Sequence, residues 1–271
     1  MVYLRAMYVI FGVTLHYFGY RRFLRSPQKE QTRPKKLVQF LLELGPVFVK
    51  IGQILSTRQD ILHSRYAEEL SVLQEAQPEI ACPIIKKQIE HEFSTPINDV
   101  FDEIDPNPVA AATLAQVHRG RLSDGTVVAV KVQRPKVEAQ IRRDMKALES
   151  ALAIAKFLFP NLIKRSNLCH LFDEFRKYTI EELDFENEAN NIDAFKTQFL
   201  NTTFVRIPDV HSAQSTSRIL TMDWVEGATM EQALTDFGQS TLKNLTARLV
   251  ETLLTMFVAN GHYHADLHPG N

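Results

Sequence analysis

The chain has 271 residues, 45% of them hydrophobic, and its 31 Lys and Arg against 32 Asp and Glu give a formal net charge of −1. This composition excludes a disordered, collagen-like or disulfide-stapled protein, and it gives no electrostatic reason to expect nucleic acid as a partner. The length suffices for one large domain or two smaller ones. Two widely separated cysteines, Cys82 and Cys169, are typical of a reducing compartment.

Residues 1–36 form a segment of unusual composition. Residues 1–20 are rich in apolar and aromatic side chains, but Arg5 and His16 interrupt them, so the stretch is a poor membrane-spanning helix. Residues 21–36 carry seven Lys or Arg and a single acid, Glu30. Apolar and aromatic residues followed by basic ones predict a helix at a membrane interface. The alternative is a helix packed on the protein, followed by a solvated basic tail.

Residues 37–95 have the periodicity of helices. Apolar residues recur every three or four positions in 37–62, and Gly45 with Pro46 divides this stretch into two helices. Two more helices are expected at 65–74 and 83–93. We therefore expect a helical extension over 37–95.

The pattern changes to strands after residue 96. Short strands are predicted at 100–104, 115–121, 126–132, 206–210 and 217–223. Helical patterns occur at 137–158, 166–201, 229–234 and 242–260. This order predicts an α+β protein, with a small antiparallel sheet in a lobe at 96–227 and a partial helical lobe at 228–271.

The last eight residues, 264–271, read His-Ala-Asp-Leu-His-Pro-Gly-Asn and follow a long apolar helix. Asp266 and Asn271 match the H-x-D-x-x-x-x-N catalytic loop of kinases, where the Asp meets the attacking hydroxyl and the Asn binds the metal. The histidines in 262–268, together with Asp266, also allow a transition-metal site. The upstream strands favour the kinase interpretation.

Two upstream features resemble the nucleotide-binding parts of kinases. The strand Val-Ala-Val-Lys-Val at 128–132 contains Lys131, in the place of the kinase lysine that contacts the α- and β-phosphates. Where a glycine-rich loop is expected, the chain has Ala110, Ala111, Ala112 and Thr113. Alanine restricts left-handed backbone, so we expect a less pliable phosphate cradle. The alternatives are that Lys131 is an ordinary surface lysine and that the alanine stretch forms a short apolar helix.

An acidic stretch at 181–190 includes Glu182 and Asp184. A solvated helix face is the ordinary explanation for such a stretch. A kinase, however, needs one helix carboxylate to hold the strand lysine.

Taken together, these residues resemble the UbiB/ABC1/ADCK (AarF-type) family of atypical kinases over about 37–271. The motifs that carry the resemblance are Lys-Ile-Gly-Gln at 50–53 (the KxGQ helix), the alanine-rich loop at 110–118, Val-Lys-Val-Gln-Arg-Pro at 130–135, Glu-Leu-Asp at 182–184 (the ExD motif) and the loop at 264–271. The resemblance implies a protein-kinase-like fold with a helical N-terminal KxGQ extension.

The resemblance also implies roles for single residues. Lys131 and the alanine-rich loop would contact ATP, and Glu182 and Asp184 would be the ExD acids, with Glu182 paired to Lys50. Gln53 belongs to the KxGQ helix, which in the family covers the active site. Asp266 would be the catalytic-loop Asp and Asn271 a Mg²⁺ ligand. Glu174 is a candidate for the carboxylate that holds Lys131.

The implied activity is that of an ATPase or small-molecule kinase that uses ATP and Mg²⁺ and supports ubiquinone (coenzyme Q) biosynthesis. The implied partners are a membrane surface, a lipid or quinone precursor, and other ubiquinone-biosynthesis proteins. We expect a peripheral protein on the cytoplasmic side of a bacterial inner membrane, or a mitochondrial one.

Because no Asp-Phe-Gly follows Asn271, we expect an incomplete metal site and weak or no ATP hydrolysis by this chain. The alternatives are a non-catalytic pseudokinase-like binding module and an aminoglycoside-phosphotransferase-like kinase. The KxGQ segment argues against the latter. A plain helical membrane scaffold would leave the motifs unexplained.

Overall fold

The structure is a computed structural model that describes residues 27–57, 63–74, 78–261 and 263. In the described residues, helices precede a four-stranded antiparallel sheet, are inserted into it and follow it. The predicted α+β class is therefore confirmed. The N-terminal residues 1–26 and the loop at 264–271, with Asp266 and Asn271, lie outside the described residues, as do the histidines proposed for a transition-metal site.

Three helices, α1 (Pro27–Leu44), α2 (Pro46–Thr57) and α3 (Ser64–Ser71), form the extension. The break predicted between the first two is present, since Gly45 adopts a φ of 110° and Pro46 begins α2. Gly52 lies so close to the side chains of Leu41 and Leu73 that a Cβ there would overlap both. The helices therefore approach closely and share one apolar core.

The sheet has the strand order β1 (Glu103–Ala111), β2 (Ala115–Arg121), β3 (Val127–Gln133) and β4 (Ile219–Asp223). Strand β1 starts later and ends later than the sequence predicts, because Ala110 and Ala111 pair with Val117 and Gln116 instead of forming a loop. The predicted strand at 206–210 is absent from the described structure. Only Val210 forms a bridge there, to Met222, and Pro208 has no N–H for a ladder.

Helices cover both faces of the sheet. Helix α4 (Cys82–Phe93) packs on one face through Ile85 and Ile89, which contact Val128 and Val130 in one core cluster. Because strand residues alternate, Lys131 lies on the opposite face. That face packs against Phe185, at the start of a later helix.

The insertion between β3 and β4 contains α5 (Val137–Leu158), α6 (Pro160–Ser166), α7 (Leu168–Glu181) and α8 (Phe185–Gln198), followed by a short 3-10 helix, Ser212–Gln214. The sequence predicts one helical stretch over 166–201, but the structure divides it at 167 and at 182–184. Asp184 explains the second break, because its carboxylate accepts a hydrogen bond from the Glu186 N–H and thereby caps α8.

The C-terminal part contains α9 (Met230–Asp236), α10 (Gln239–Leu254) and a π-helical turn, Thr255–Asn260. Along the whole of α10 the side chains are exposed or half-buried, and Arg248 lies over the ring of Phe204 at 5.2 Å. None of the helices in the described ranges is both long and apolar enough to cross a membrane.

Candidate functional site

Lys131 forms the centre of the site on the α8 face of the sheet. Its Nζ donates hydrogen bonds to both carboxylate oxygens of Glu188, at 2.8 and 2.6 Å. The same Nζ lies 4.9 Å from the ring centroid of Phe185. The Lys131 side chain is 24% exposed, so the ammonium group is fixed in position but still reachable from solvent.

The carboxylate that holds Lys131 is therefore Glu188, and the assignment of Glu174 to this role is wrong. Glu174 belongs to α7, whose Phe172 and Phe175 pack against the core of the helical extension. Glu188 instead lies in the first turn of α8, three residues after Phe185 and so on the same side of the helix. Since Phe185 is buried against the sheet, Glu188 is brought to β3.

Gln133 positions the ExD motif. It lies two residues after Lys131 on the same face of β3, is 3% exposed, and donates through Nε2 to the carbonyl of Leu183 at 2.8 Å. Leu183 itself is buried in the core of the extension. The break between α7 and α8 is thus held at the end of β3, with Glu182 on one side of Leu183 and Asp184 on the other.

The KxGQ helix, α2, contacts this site at two points. Lys50 forms an ion pair with Glu182, as the resemblance implies. One turn later, Gln53 donates through Nε2 to the Leu73 carbonyl at 2.7 Å and to the Thr113 hydroxyl at 3.4 Å. One short stretch of α2 therefore contacts both the ExD motif and the alanine-rich turn.

The turn between β1 and β2 is tight, and Arg134 stabilises it through hydrogen bonds. The Ala112 N–H donates to the Ala115 carbonyl at 2.8 Å. Arg134 donates through Nε to the Ala112 carbonyl at 2.7 Å and through one terminal nitrogen to the Pro78 carbonyl at 2.9 Å. Burial of the guanidinium lowers the pKa of Arg134. Because Ala110 and Ala111 lie within β1, the turn proper is short. That the cradle is less pliable than a glycine-rich one stays a prediction.

A second polar network supports the sheet from its other face. Gln116 and His118 are both fully buried on β2. Gln116 accepts a hydrogen bond from the Ile80 N–H at 2.8 Å and donates to the Ile80 carbonyl at 3.1 Å. Its amide also meets Nε2 of His118 at 3.0 Å, and Nδ1 of His118 meets the Asp105 carbonyl at 2.8 Å. The segment before α4 is thereby tied to the strand that follows the alanine-rich turn.

The structure thus brings together Lys50, Gln53, Thr113, Lys131, Glu182 and Asp184 around the junction of α2, β3 and α8. It adds Glu188 and Gln133, which the sequence did not single out. For Glu188 the available signal was its spacing of three from an apolar aromatic residue just after a capping Asp. The roles of Asp266 and Asn271 remain predictions, because both lie outside the described residues.

This arrangement can bind a polyanion together with a hard cation. Lys50 and Lys131 are ammonium groups suited to phosphate oxygens, whereas Glu182, Asp184 and Glu188 are carboxylates. Oxygen ligands are those that Mg²⁺ prefers, usually one or two carboxylates together with phosphate oxygens. Among the described residues no group of three or more acidic, His or Cys side chains is placed to hold a metal ion, so a Mg²⁺ here would take one or two of these carboxylates together with phosphate oxygens.

Comparisons with known proteins agree with this geometry. The family model described as the ABC1 atypical kinase-like domain matches residues 72–271. A probable protein kinase UbiB from Tolumonas auensis is 34% identical over 250 residues, covering 92% of this chain and 46% of the relative. The chloroplast protein ACTIVITY OF BC1 COMPLEX KINASE 7 from Arabidopsis thaliana is 33% identical over 254 residues, covering 91% and 36%.

Among solved structures, this chain resembles Rv3197 from Mycobacterium tuberculosis, which was determined in complex with erythromycin. The TM-score is 0.63 and the sequence identity is 26%, and the match covers 90% of this chain and 61% of that chain. The match agrees with the family model, and the kinase-like fold expected from the sequence is confirmed. The chain spans less than half of the length of the two curated relatives described above.

Proposed function

Because the chain belongs to the ABC1 atypical kinase-like family, as its motifs predict, we propose that it binds ATP with Mg²⁺ as part of a UbiB-type atypical kinase or ATPase. The observation that carries the proposal is the hydrogen-bonded pair of Lys131 and Glu188 on the α8 face of the sheet, where Lys131 is 24% exposed. A strand lysine held by a helix carboxylate is what a kinase needs to orient the phosphates of ATP.

In this proposal each residue of the site has a defined task. Lys131 contacts the α- and β-phosphates, and Glu188 keeps its Nζ in place. Glu182 and Asp184, with Asn271 of the catalytic loop, supply oxygen ligands for Mg²⁺, and Asp266 accepts the proton of the attacking group. When bound, Mg²⁺ neutralises charge on the phosphates.

The KxGQ helix gives the site a different access from that of an ordinary protein kinase. Lys50 and Gln53 connect α2 to Glu182 and to Thr113, so the helix lies beside the groups that would meet the nucleotide. We propose that this favours water or a small acceptor over a protein substrate, and that the biological role is support of ubiquinone biosynthesis at a membrane.

The proposed location is the periphery of a membrane, on its cytoplasmic side in bacteria. The curated relatives include bacterial and chloroplast proteins, and the mitochondrial alternative expected from the resemblance stays a prediction. A lipid or quinone precursor is the proposed acceptor class, and other ubiquinone-biosynthesis proteins are the proposed partners.

The test of ATP binding is isothermal titration of the full chain with ATP in the presence of Mg²⁺. We expect Lys131→Met to weaken ATP binding at least about tenfold, because a charged contact to phosphate is lost. Glu188→Gln should weaken it less, since the lysine remains but is no longer held. Glu174→Gln is the matched control and should leave the affinity unchanged.

Equal affinity of the wild type, Lys131→Met and Glu188→Gln would contradict the proposal. No measurable ATP binding by a folded wild-type chain would favour the alternative, a pseudokinase-like module that does not use nucleotide.

A further inference from the structure

An exposed apolar surface lies at the end of the helical insertion, away from the site. Phe157, the most exposed of its side chains, has 84% of its surface accessible to solvent. We call this surface the apolar tip, and it consists of Phe157, Leu158, Phe159, Leu168 and Leu171. Large apolar side chains clustered in this way on a surface mark a contact with another molecule or with lipid.

The fold brings the residues of the apolar tip to one place. Glu149 of α5 and Arg176 of α7 approach to 3.9 Å, and the short helix α6 contacts both α5 and α7. Phe157 follows Glu149 by eight residues and Leu168 precedes Arg176 by eight, which is about 12 Å of helix in each case. The short helix α6 connects the two ends and is anchored inward by Ile163, which is 6% exposed.

The charged residues within the apolar tip and α6 are all basic, and the exposed acids Glu149 and Asp173 lie just outside this stretch. Residues 150–172 contain Lys156, Lys164 and Arg165 but no Asp or Glu, although the whole chain has a net charge of only −1. Lys156 and Lys164 are both exposed. A partner that matches this surface is therefore apolar inside and carries negative charge at its boundary.

We propose that the apolar tip inserts into the headgroup region of a membrane that contains anionic lipids. The two phenylalanines and the leucines suit the boundary of the acyl chains, and the lysines suit anionic headgroups. This contact is separate from any contribution of residues 1–36 and requires no nucleotide. It goes beyond the proposed function because it assigns the surface that faces the membrane.

The contact would also fix the orientation of the site. Helix α7 runs from Leu168, in the apolar tip, to Glu181, next to the ion pair of Glu182 with Lys50. Its fourteen residues span about 21 Å. The site would therefore stand about 20 Å from the lipid contact, within reach of a substrate that leaves the membrane.

The first test compares the full chain and its variants in flotation with vesicles, either neutral phosphatidylcholine or a mixture with roughly a third phosphatidylglycerol. The double variant Phe157→Ser and Phe159→Ser should bind anionic vesicles about tenfold more weakly. The double variant Lys156→Glu and Lys164→Glu, which reverses two charges, should weaken binding to anionic vesicles by a similar factor. Its binding to neutral vesicles should not change. Leu200→Ser is the matched control, since Leu200 is 70% exposed elsewhere.

The second test reports the contact itself, so that binding through residues 1–36 does not obscure it. A bimane label at Leu158→Cys, in a background with Cys82→Ser and Cys169→Ala, should shift to the blue when anionic vesicles are added. The same label at Leu200→Cys should not shift. An unchanged label at 158 with vesicle-bound protein would overturn the proposal. A blue shift without lipid that grows with protein concentration would also overturn it, in favour of contact with a second copy of the chain.

Discussion

Lys50 in the second helix of the chain forms an ion pair with Glu182, 132 residues later, at the junction of α7 and α8. The pair joins the helical extension to the insertion between β3 and β4. Its side chains are 18% and 50% exposed, so solvent screens the pair in part. The pair therefore acts as a link between two parts of the fold that are remote in sequence.

A double-mutant cycle of Lys50→Met and Glu182→Gln measures this link. We expect a coupling free energy of about 1 kcal/mol in urea denaturation, the upper end for a partly exposed pair. The cycle cancels the other contacts of Lys50. The pair of Arg176 and Glu149, at 3.9 Å with both partners more exposed than Lys50, is the control and should couple by no more than about 0.5 kcal/mol. A coupling at Lys50 no larger than that of the control would contradict the prediction.

Asp184 offers a prediction that separates folding from nucleotide binding. Asp184→Ala removes the cap of α8 and should destabilise the protein by about 1 kcal/mol. Asp184→Asn keeps a side-chain oxygen for the Glu186 N–H, so its unfolding midpoint in urea should stay close to that of the wild type. Under the proposed function, however, Asp184→Asn should weaken ATP binding in Mg²⁺, because a carboxylate ligand is lost.

The capping effect can be checked against a second helix. Thr229 caps α9, where its hydroxyl accepts a hydrogen bond from the Gln232 N–H at 3.2 Å. Thr229→Ala should therefore lower stability by a similar amount but leave ATP affinity unchanged. If Asp184→Asn and Asp184→Ala were equally unstable, the carboxylate charge rather than the cap would be what α8 requires.

The elements set by local periodicity could be predicted from the sequence, whereas the pairings in the site could not. The predicted bounds of α5, 137–158, and of β2, 115–121, are those of the structure, because apolar spacing determines both. The break at 182–184 was missed, since an acidic run with helical spacing conceals the cap. Glu188 was missed as the partner of Lys131 because the pairing depends on α8 packing against the sheet through Phe185.

The alanine-rich turn gives a similar lesson. Its composition predicts a loop, but two of its alanines, Ala110 and Ala111, belong to β1 because they pair with β2. Alanine has little strand preference of its own. Its conformation here is decided by the neighbouring strand, which a single sequence does not reveal.

Gln116 should be among the most sensitive buried polar residues of the sheet. Gln116→Leu would leave the Ile80 N–H, the Ile80 carbonyl and Nε2 of His118 without their partner. Buried polar groups without partners are costly, so we expect a loss of about 3 kcal/mol or more in urea denaturation. Gln39→Leu, on an exposed face where Gln39 bonds Glu43 at 3.1 Å, should cost less than about 0.5 kcal/mol. Similar losses for the two variants would show that the network around Ile80 is not needed.

Glu138 links the stability of the fold to pH through hydrogen bonds with two arginines. Its carboxylate accepts hydrogen bonds from Arg142 at 2.9 Å and from Arg218 at 3.1 Å. These bonds, first that from Arg142 and then that from Arg218, lower the pKa of Glu138 from its ordinary value of 4.5. Arg218 also reaches Glu92 of α4 at 3.5 Å, so the network joins α4, α5 and the residue that precedes β4.

Because the folded protein holds the pKa of Glu138 below 4.5, the stabilisation is fully present above pH 4.5 and is lost as the pH falls through the lower folded value. We expect Glu138→Gln to lower the free energy of unfolding at pH 7 by less than about 1 kcal/mol, because water screens the partly exposed pair. The difference from the wild type should shrink in urea denaturation as the pH is lowered below 4.5. Glu103→Gln, which removes a more exposed carboxylate 3.8 Å from Arg121, is the control. A difference between Glu138→Gln and the wild type that stays constant from pH 7 down through this range would mean that the carboxylate charge of Glu138 does not stabilise the fold.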